Sequence, residues 1–301
     1  MSRIEEALRR ASLAGGPQGP AASAGGLAVV ANDAPLSKYP TESRGQSSAR
    51  ATPQDVARTI AAPRVGSRGQ LGSFGDASDG KLILSQAAPP IVVEQYRRLA
   101  ATLHELQTAH GTKTLMVASA LPREGKTLTV TNLALTLSES YGRSVLLIDA
   151  DLRRPSIHDV LRLPNVRGLS EGLRSDSSEL SLLQVSPKLS VLPAGRPERN
   201  PMEALTSERM RRVLEESASA FDWVLLDSPP VGIMPDANLL AALTDGVIFV
   251  IAAGSTPYSM IERAVSQIGS EHIVGTVLNR MEEAASPESD YYHAYYRPDT
   301  D

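Results

Sequence analysis

Residues 114–154 restrict what this chain can fold into more than any other stretch. An apolar run from Leu115 to Ala118 enters a loop that ends in Gly125-Lys126-Thr127. Val130, Leu133, Ala134 and Leu137 then recur at i, i+3, i+4 and i+7, the spacing of one helix face. A second apolar run, Val145 to Ile148, delivers Asp149 and Asp151. The order is strand, glycine-lysine loop, helix, strand and paired carboxylates.

That order is the nucleotide-handling half of a P-loop fold. In such a loop, Ala120 to Thr127 here, backbone N–H groups and a helix N-terminus cradle phosphates. Lys126 meets the terminal phosphate oxygens and Thr127 ligates Mg²⁺. Pro122, Arg123, Glu124, Gly125 and Leu128 complete the expected nucleotide-binding stretch. Arg123 stands where many such loops have glycine, and Ala120 replaces the usual first glycine. Asp149 and Asp151 leave the second strand at alternating spacing, so ideal β geometry points both carboxylates the same way. One is placed to hold Mg²⁺ through water and the other to accept a hydroxyl proton. Asp227 ends another apolar run, Val224-Leu225-Leu226, as a further Mg²⁺ carboxylate. Asp236 reads as a helix N-cap.

The rest of the chain supports one folded unit with unlike ends. Residues 1–12 have the pattern of a short amphipathic helix, with Ile4 and Leu8 on one side; it is either a frayed end or a docking helix. Residues 13–80 are dominated by Gly, Ala, Pro, Ser and Gln, which bury too little apolar surface to offset conformational entropy, so a disordered linker is expected. The folded domain is expected over 81–284. It opens with a helix over Ile91–Gln107 whose stripe is Val92, Tyr96, Leu99, Leu103 and Leu106. Strands at 189–192, 222–227, 246–251 and 273–278 alternate with helices at 201–218 and 257–268. The fold class is therefore α/β, a parallel sheet with helices on both faces. Residues 285–301 form a polar tail holding four of the eight tyrosines, Tyr291, Tyr292, Tyr295 and Tyr296.

Composition removes several function classes. A net charge of −4 and a pI of about 5.8 argue against a nucleic-acid partner. The absence of cysteine excludes disulfides and thiolate metal sites and fits a cytoplasmic setting. Val247 to Ala253, the longest apolar run, is far short of the roughly 20 residues a membrane helix needs. Membrane association is then expected through a partner or an amphipathic surface.

Taken together the motifs resemble the bacterial tyrosine kinases of exopolysaccharide and capsule synthesis, over residues 82–296. The resemblance rests on Ala118 to Thr127, Leu146 to Pro155, Gly168-Leu-Ser-Glu-Gly-Leu173 and Pro193-Ala-Gly195. Asn200-Pro-Met-Glu203, Asp222 to Pro230 and the terminal tyrosines also match. It implies ATP- and Mg²⁺-dependent autophosphorylation, with one copy's tyrosine tail entering its neighbour's site. By the same match Lys126, Asp149, Asp151 and Asp227 are catalytic, and Thr127, Asp149 and Asp227 serve the metal. Asn279 matches the adenine reader, and Glu94 with Arg97 the helix that joins subunits. The family's interface motif continues with arginine where this chain has Ala100. The resemblance also implies a membrane activator of the chain-length-regulator type, recruiting the protein to the inner face of the cell membrane. The competing expectation is a partitioning or positioning ATPase; such proteins carry a second lysine early in the loop, where this chain has Leu121.

Overall fold

A computed structural model describes residues 26–31, 81–174, 180–198 and 200–281; for 26–31 it describes the backbone alone. The expected helix over 1–12 and the tyrosine tail lie outside the described residues. So does most of the expected linker.

The apolar runs form strands because both their faces are covered, which removes any need for polar alternation. The strands are β1 (Gly26–Ala31), β2 (Thr114–Ser119), β3 (Val145–Asp149), β4 (Leu183–Gln184), β5 (Leu189–Leu192), β6 (Trp223–Asp227), β7 (Gly246–Ala252) and β8 (Ile273–Met281). They make one sheet in the order β1-β8-β7-β2-β6-β3-β5-β4. From β8 to β5 neighbours are parallel, while β1 and β4 pair antiparallel at the edges.

The period of 2 along each strand sorts the core into two layers. Met116, Ala118, Leu146, Ile148, Val224 and Leu226 face one layer. Leu115, Val117, Val145, Leu147, Trp223 and Leu225 face the other. The second layer is closed by α1 (Pro90–His110), α2 (Lys126–Leu135) and α3 (Ile157–Leu161). The first is closed by α4 (Leu169–Leu173), α5 (Pro201–Leu205), α6 (Glu208–Ala220), α7 (Asp236–Ala241) and α8 (Tyr258–Ile268). Helices on both faces agree with the expected class. The sheet is antiparallel only at its edges, where β4 and β5 form a hairpin through a short turn that only antiparallel strands permit.

Gly26–Ala31, a short segment inside the stretch expected as linker, pairs antiparallel with β8, Val29 opposite Val277 and Ala31 opposite Gly275; two other expectations need correction. Composition averaged over 13–80 hides that local run of Leu27, Val29 and Val30. The helix expected over 201–218 is broken at Thr206, and α6 restarts from Ser207, whose hydroxyl oxygen accepts from the Met210 N–H at 3.2 Å. Asp236 does not cap α7; it is the first helical residue, and its buried carboxylate pairs with Arg153 at 2.6 Å.

Among the described residues no helix is long and apolar enough to cross a membrane. From β2 the chain winds outward to β3 and β5, returns to β6, and then crosses to β7 and β8. Winding reverses beside β2, and in open α/β sheets ligands bind outside the carboxyl ends of strands at such a point.

Candidate active site

The phosphate loop leaves β2 through Ala120 and reaches α2 at Lys126. Arg123 has φ +65° and Gly125 φ +100°, so the loop twice enters the left-handed region. Pro122 followed by a left-handed residue is the signature of a type II turn, which explains why glycine is common where Arg123 stands. Gly125 has a second constraint: a Cβ there would lie 2.0 Å from Asn279 Nδ2. Glycine here is required by backbone conformation and by space alike.

Glu124 is one of the nucleotide-binding residues expected from sequence, yet its side chain turns inward and is 3% exposed. Its carboxylate accepts from the Leu121 N–H at 2.6 Å and from the Thr256 hydroxyl, and its carbonyl accepts from Asn279 Nδ2 at 2.8 Å. The Arg280 guanidinium donates to the Arg123 carbonyl. The loop is thus braced from within by Glu124 and from the end of β8 by Asn279 and Arg280. Pro122 and Arg123 are exposed, and Leu128 packs its side chain on the core.

Lys126, Thr127, Asp149, Asp151 and Asp227 converge where β2, β3 and β6 end. Asp149 and Asp227 are register partners on adjacent parallel strands, and neither is exposed. Thr127 Oγ1 donates to Asp227 Oδ2 at 2.6 Å and lies 3.0 Å from Ser156 Oγ. Lys126 Nζ stands 3.8 Å from Asp151 Oδ2.

The two carboxylates expected to point alike have different surroundings, because the strand stops at Asp149 and the chain turns. Asp149 Oδ2 accepts from the N–H groups of Ser156 and Ile157, each at 3.0 Å. Asp149 Oδ1 accepts from the Asp151 N–H at 3.3 Å. Asp151 instead accepts from the Arg154 N–H at 3.0 Å and turns its other oxygen to Lys126. Burial, and next the facing Asp227 charge, push the Asp149 carboxyl up to about 8. Burial also raises Asp227, against the opposing pull of Lys126 and the Thr127 hydroxyl. Two buried carboxylates that hold protons too tightly, beside a threonine hydroxyl, form a donor set short of positive charge. It fits a hard divalent cation completed by phosphate oxygens and water rather than an all-protein cage.

Sequence reasoning missed the Arg153–Asp236 pair, which ties the turn after β3 to α7 and leaves Asp236 1% exposed. Two motifs also prove to be halves of one lock. The Leu169 and Ser170 N–H groups donate to the carbonyls of Pro193 and Ala194, both at 2.8 Å. A Cβ on Gly168 would lie 2.0 Å from Pro193 O, and one on Gly195 2.0 Å from Glu171 Oε2.

Exposed Arg97 and half-buried Glu94 form an ion pair at 3.7 Å on α1. Ala100 is fully buried on that helix, so the third position of the expected interface motif faces the core.

No protein-family model matches the chain. Tyrosine-protein kinase YwqD of Bacillus subtilis is 34% identical over 203 residues, 66% of this chain and 85% of that protein. The succinoglycan biosynthesis transport protein ExoP of Rhizobium meliloti is 30% identical over 207 residues, 66% of this chain but 26% of that longer protein. Among solved structures, the kinase domain of the Escherichia coli tyrosine kinase ETK superposes with a TM-score of 0.61 at 30% identity. That match covers 65% of this chain and 78% of the other. Identity at this level over most of YwqD, with the same fold in a solved kinase domain, places the chain: it belongs to the bacterial tyrosine-protein kinase family.

Proposed function

We propose that the protein transfers the terminal phosphoryl group of ATP to tyrosines of its own C-terminal cluster, Tyr291, Tyr292, Tyr295 and Tyr296, in a second copy of itself. The observation that carries this reading is the convergence of Lys126, Thr127, Asp149, Asp151 and Asp227 around one phosphate loop. Catalysis of phosphoryl transfer is mainly positioning and charge neutralisation, and these residues supply both. Loop N–H groups and Lys126 hold the nucleotide phosphates. Thr127 and Asp227 would hold Mg²⁺, with Asp149 acting through its water, and the bound ion neutralises charge on the transferring group. Asp149 already accepts three backbone N–H groups, whereas Asp151 turns an oxygen to Lys126, which favours Asp151 as acceptor of the tyrosine proton.

The acceptor tyrosines begin at Tyr291, ten positions after β8 ends at Met281, and the end of β8 lies beside the phosphate loop. Phosphorylation adds nearly two negative charges per tyrosine. Repulsion among modified tails and from the carboxylate site then weakens association, giving an assembly cycle that Glu94 and Arg97 help to hold. The match to part of ExoP, a transport protein by name, supports a role in exopolysaccharide or capsule synthesis and export alongside a membrane activator of the chain-length-regulator type. That partner would bring the kinase from the cytoplasm to the inner face of the membrane. The rival ATPase reading is disfavoured by Leu121, whose side chain packs on the core where a second lysine would stand.

The test incubates full-length protein with labelled ATP and Mg²⁺. Label on Tyr291–Tyr296, lost in Lys126→Met, is expected; phosphate release without protein label points to the ATPase. Mixing Lys126→Met protein with an active variant whose four tail tyrosines are Phe separates transfer between copies from transfer within one. No label on the Lys126→Met copy overturns transfer in trans.

A further inference from the structure

We propose that Glu124 is a positioning residue whose buried carboxylate sets the shape of the phosphate loop from the loop that follows β7. The inference rests on the nucleotide-binding part of the function proposed above. A carboxylate that is 3% exposed is costly unless its oxygens are occupied, and both are. One accepts from the Leu121 N–H at 2.6 Å and spans the loop's own bend. The other accepts from the hydroxyl of Thr256, more than a hundred residues away in sequence.

Thr256 is itself held, its hydroxyl lying 3.2 Å from the Ala252 carbonyl at the end of β7. It sits two residues before α8, which begins at Tyr258. From the other side Asn279, in β8, donates to the Glu124 carbonyl at 2.8 Å. Glu124 therefore joins the phosphate loop to the segment after β7 and to the end of β8. A negative charge beneath a loop that binds phosphate opposes its ligand, so its value here lies in geometry. The carboxylate only accepts, so the Leu121 N–H and the Thr256 hydroxyl both donate to it, and the hydroxyl keeps lone pairs free to accept if its partner changes. Removing the side chain orphans the Leu121 N–H and leaves the Thr256 hydroxyl to the Ala252 carbonyl alone, so the tie between the two loops is cut and the phosphate loop loses the conformation that aims its amides at the ligand.

Two substitutions at Glu124 separate bracing by hydrogen bonds from a chemical role for the charge. In Glu124→Gln the amide oxygen accepts from Leu121 and the amide nitrogen donates to Thr256, so the brace survives without the charge. In Glu124→Ala it is lost. Full-length variants are compared by titration with a fluorescent ADP analogue in Mg²⁺, by kcat and KM for ATP, and by thermal unfolding. Glu124→Gln is expected to bind within about twofold of wild type or tighter. Glu124→Ala is expected to weaken binding at least tenfold, at temperatures where it is fully folded. Thr256→Val weakens binding in the same direction, Thr256→Ser restores it, and the Glu124→Ala/Thr256→Val pair costs less than the two losses combined.

Equal loss of turnover in Glu124→Gln and Glu124→Ala would make the carboxylate a chemical participant and overturn the proposal. A lowered melting temperature with unchanged affinity and KM would overturn it in favour of a purely structural role. Because nucleotide binding is read directly, absence of tyrosine label in wild type would defeat the kinase reading and leave this test standing.

Discussion

Thr127 Oγ1 donates to Asp227 Oδ2 across 2.6 Å, joining the first turn of α2 to the end of β6. The hydroxyl occupies a carboxylate that is otherwise fully buried. Thr127→Val keeps the shape but removes the donor and a metal ligand. Metal-free stability is expected to fall by about 1–3 kcal/mol, and the Mg²⁺ concentration for half-maximal phosphorylation to rise at least on the order of 10-fold. Thr127→Ser restores both. A Mg²⁺ titration in which Thr127→Val matches wild type would remove Thr127 from the metal site.

The raised Asp149 carboxyl has a defined pH signature. Its folded value of about 8 lies above its ordinary 3.8, so the metal-free folded state binds the proton more tightly than the unfolded chain. The contribution to stability is fully present below pH 3.8 and is lost as pH rises towards 8. Its slope is at most about 1.4 kcal/mol per pH unit for one proton. Loading with Mg²⁺ and ADP at pH 7 should then release protons. Calorimetry in buffers of different ionisation heat measures that release, and a binding heat independent of buffer would contradict it.

Gly168→Ala tests the lock between the turn before α4 and the segment after β5. The added Cβ would meet Pro193 O at 2.0 Å and Gly195 N at 2.5 Å, both backbone atoms with no rotamer to escape into. Stability is expected to fall by at least about 1–3 kcal/mol, the usual cost of overpacking. Chemical denaturation measures it. An unchanged midpoint would mean that the two segments separate readily.

Ala100→Arg would restore the family's interface motif on paper. Ala100 is fully buried between α1 and the sheet, so the arginine has to enter the core or displace the helix. The variant is expected to be destabilised by several kcal/mol and to assemble no better than wild type. Sedimentation velocity checks the second point; a stable, more highly assembled Ala100→Arg protein would mean that α1 turns outward on association.

The phosphate loop, the strand and helix around it, and the carboxylates Asp149, Asp151 and Asp227 were legible from sequence. Each is marked by a local signal: an apolar run, a 3.6-residue period, or a glycine-lysine-threonine triplet. The order of those signals was enough for a sheet covered on both faces. Local signals carry no information about partners far along the chain. The clasp of Glu124 with Thr256, the pairing of Arg153 with Asp236 and the docking of Gly168 on Pro193 join residues brought together only when the sheet closes. The same limit separates Asp149 from Asp151, which spacing alone aligned. Where a strand ends is decided by what the next residues can hydrogen-bond, and the N–H groups of Ser156 and Ile157 draw Asp149 down while Asp151 stays with Lys126. Sequence by itself determined which chemical groups this protein has; tertiary packing decided which of them touch, because burial leaves each polar group only the partners the fold brings within reach.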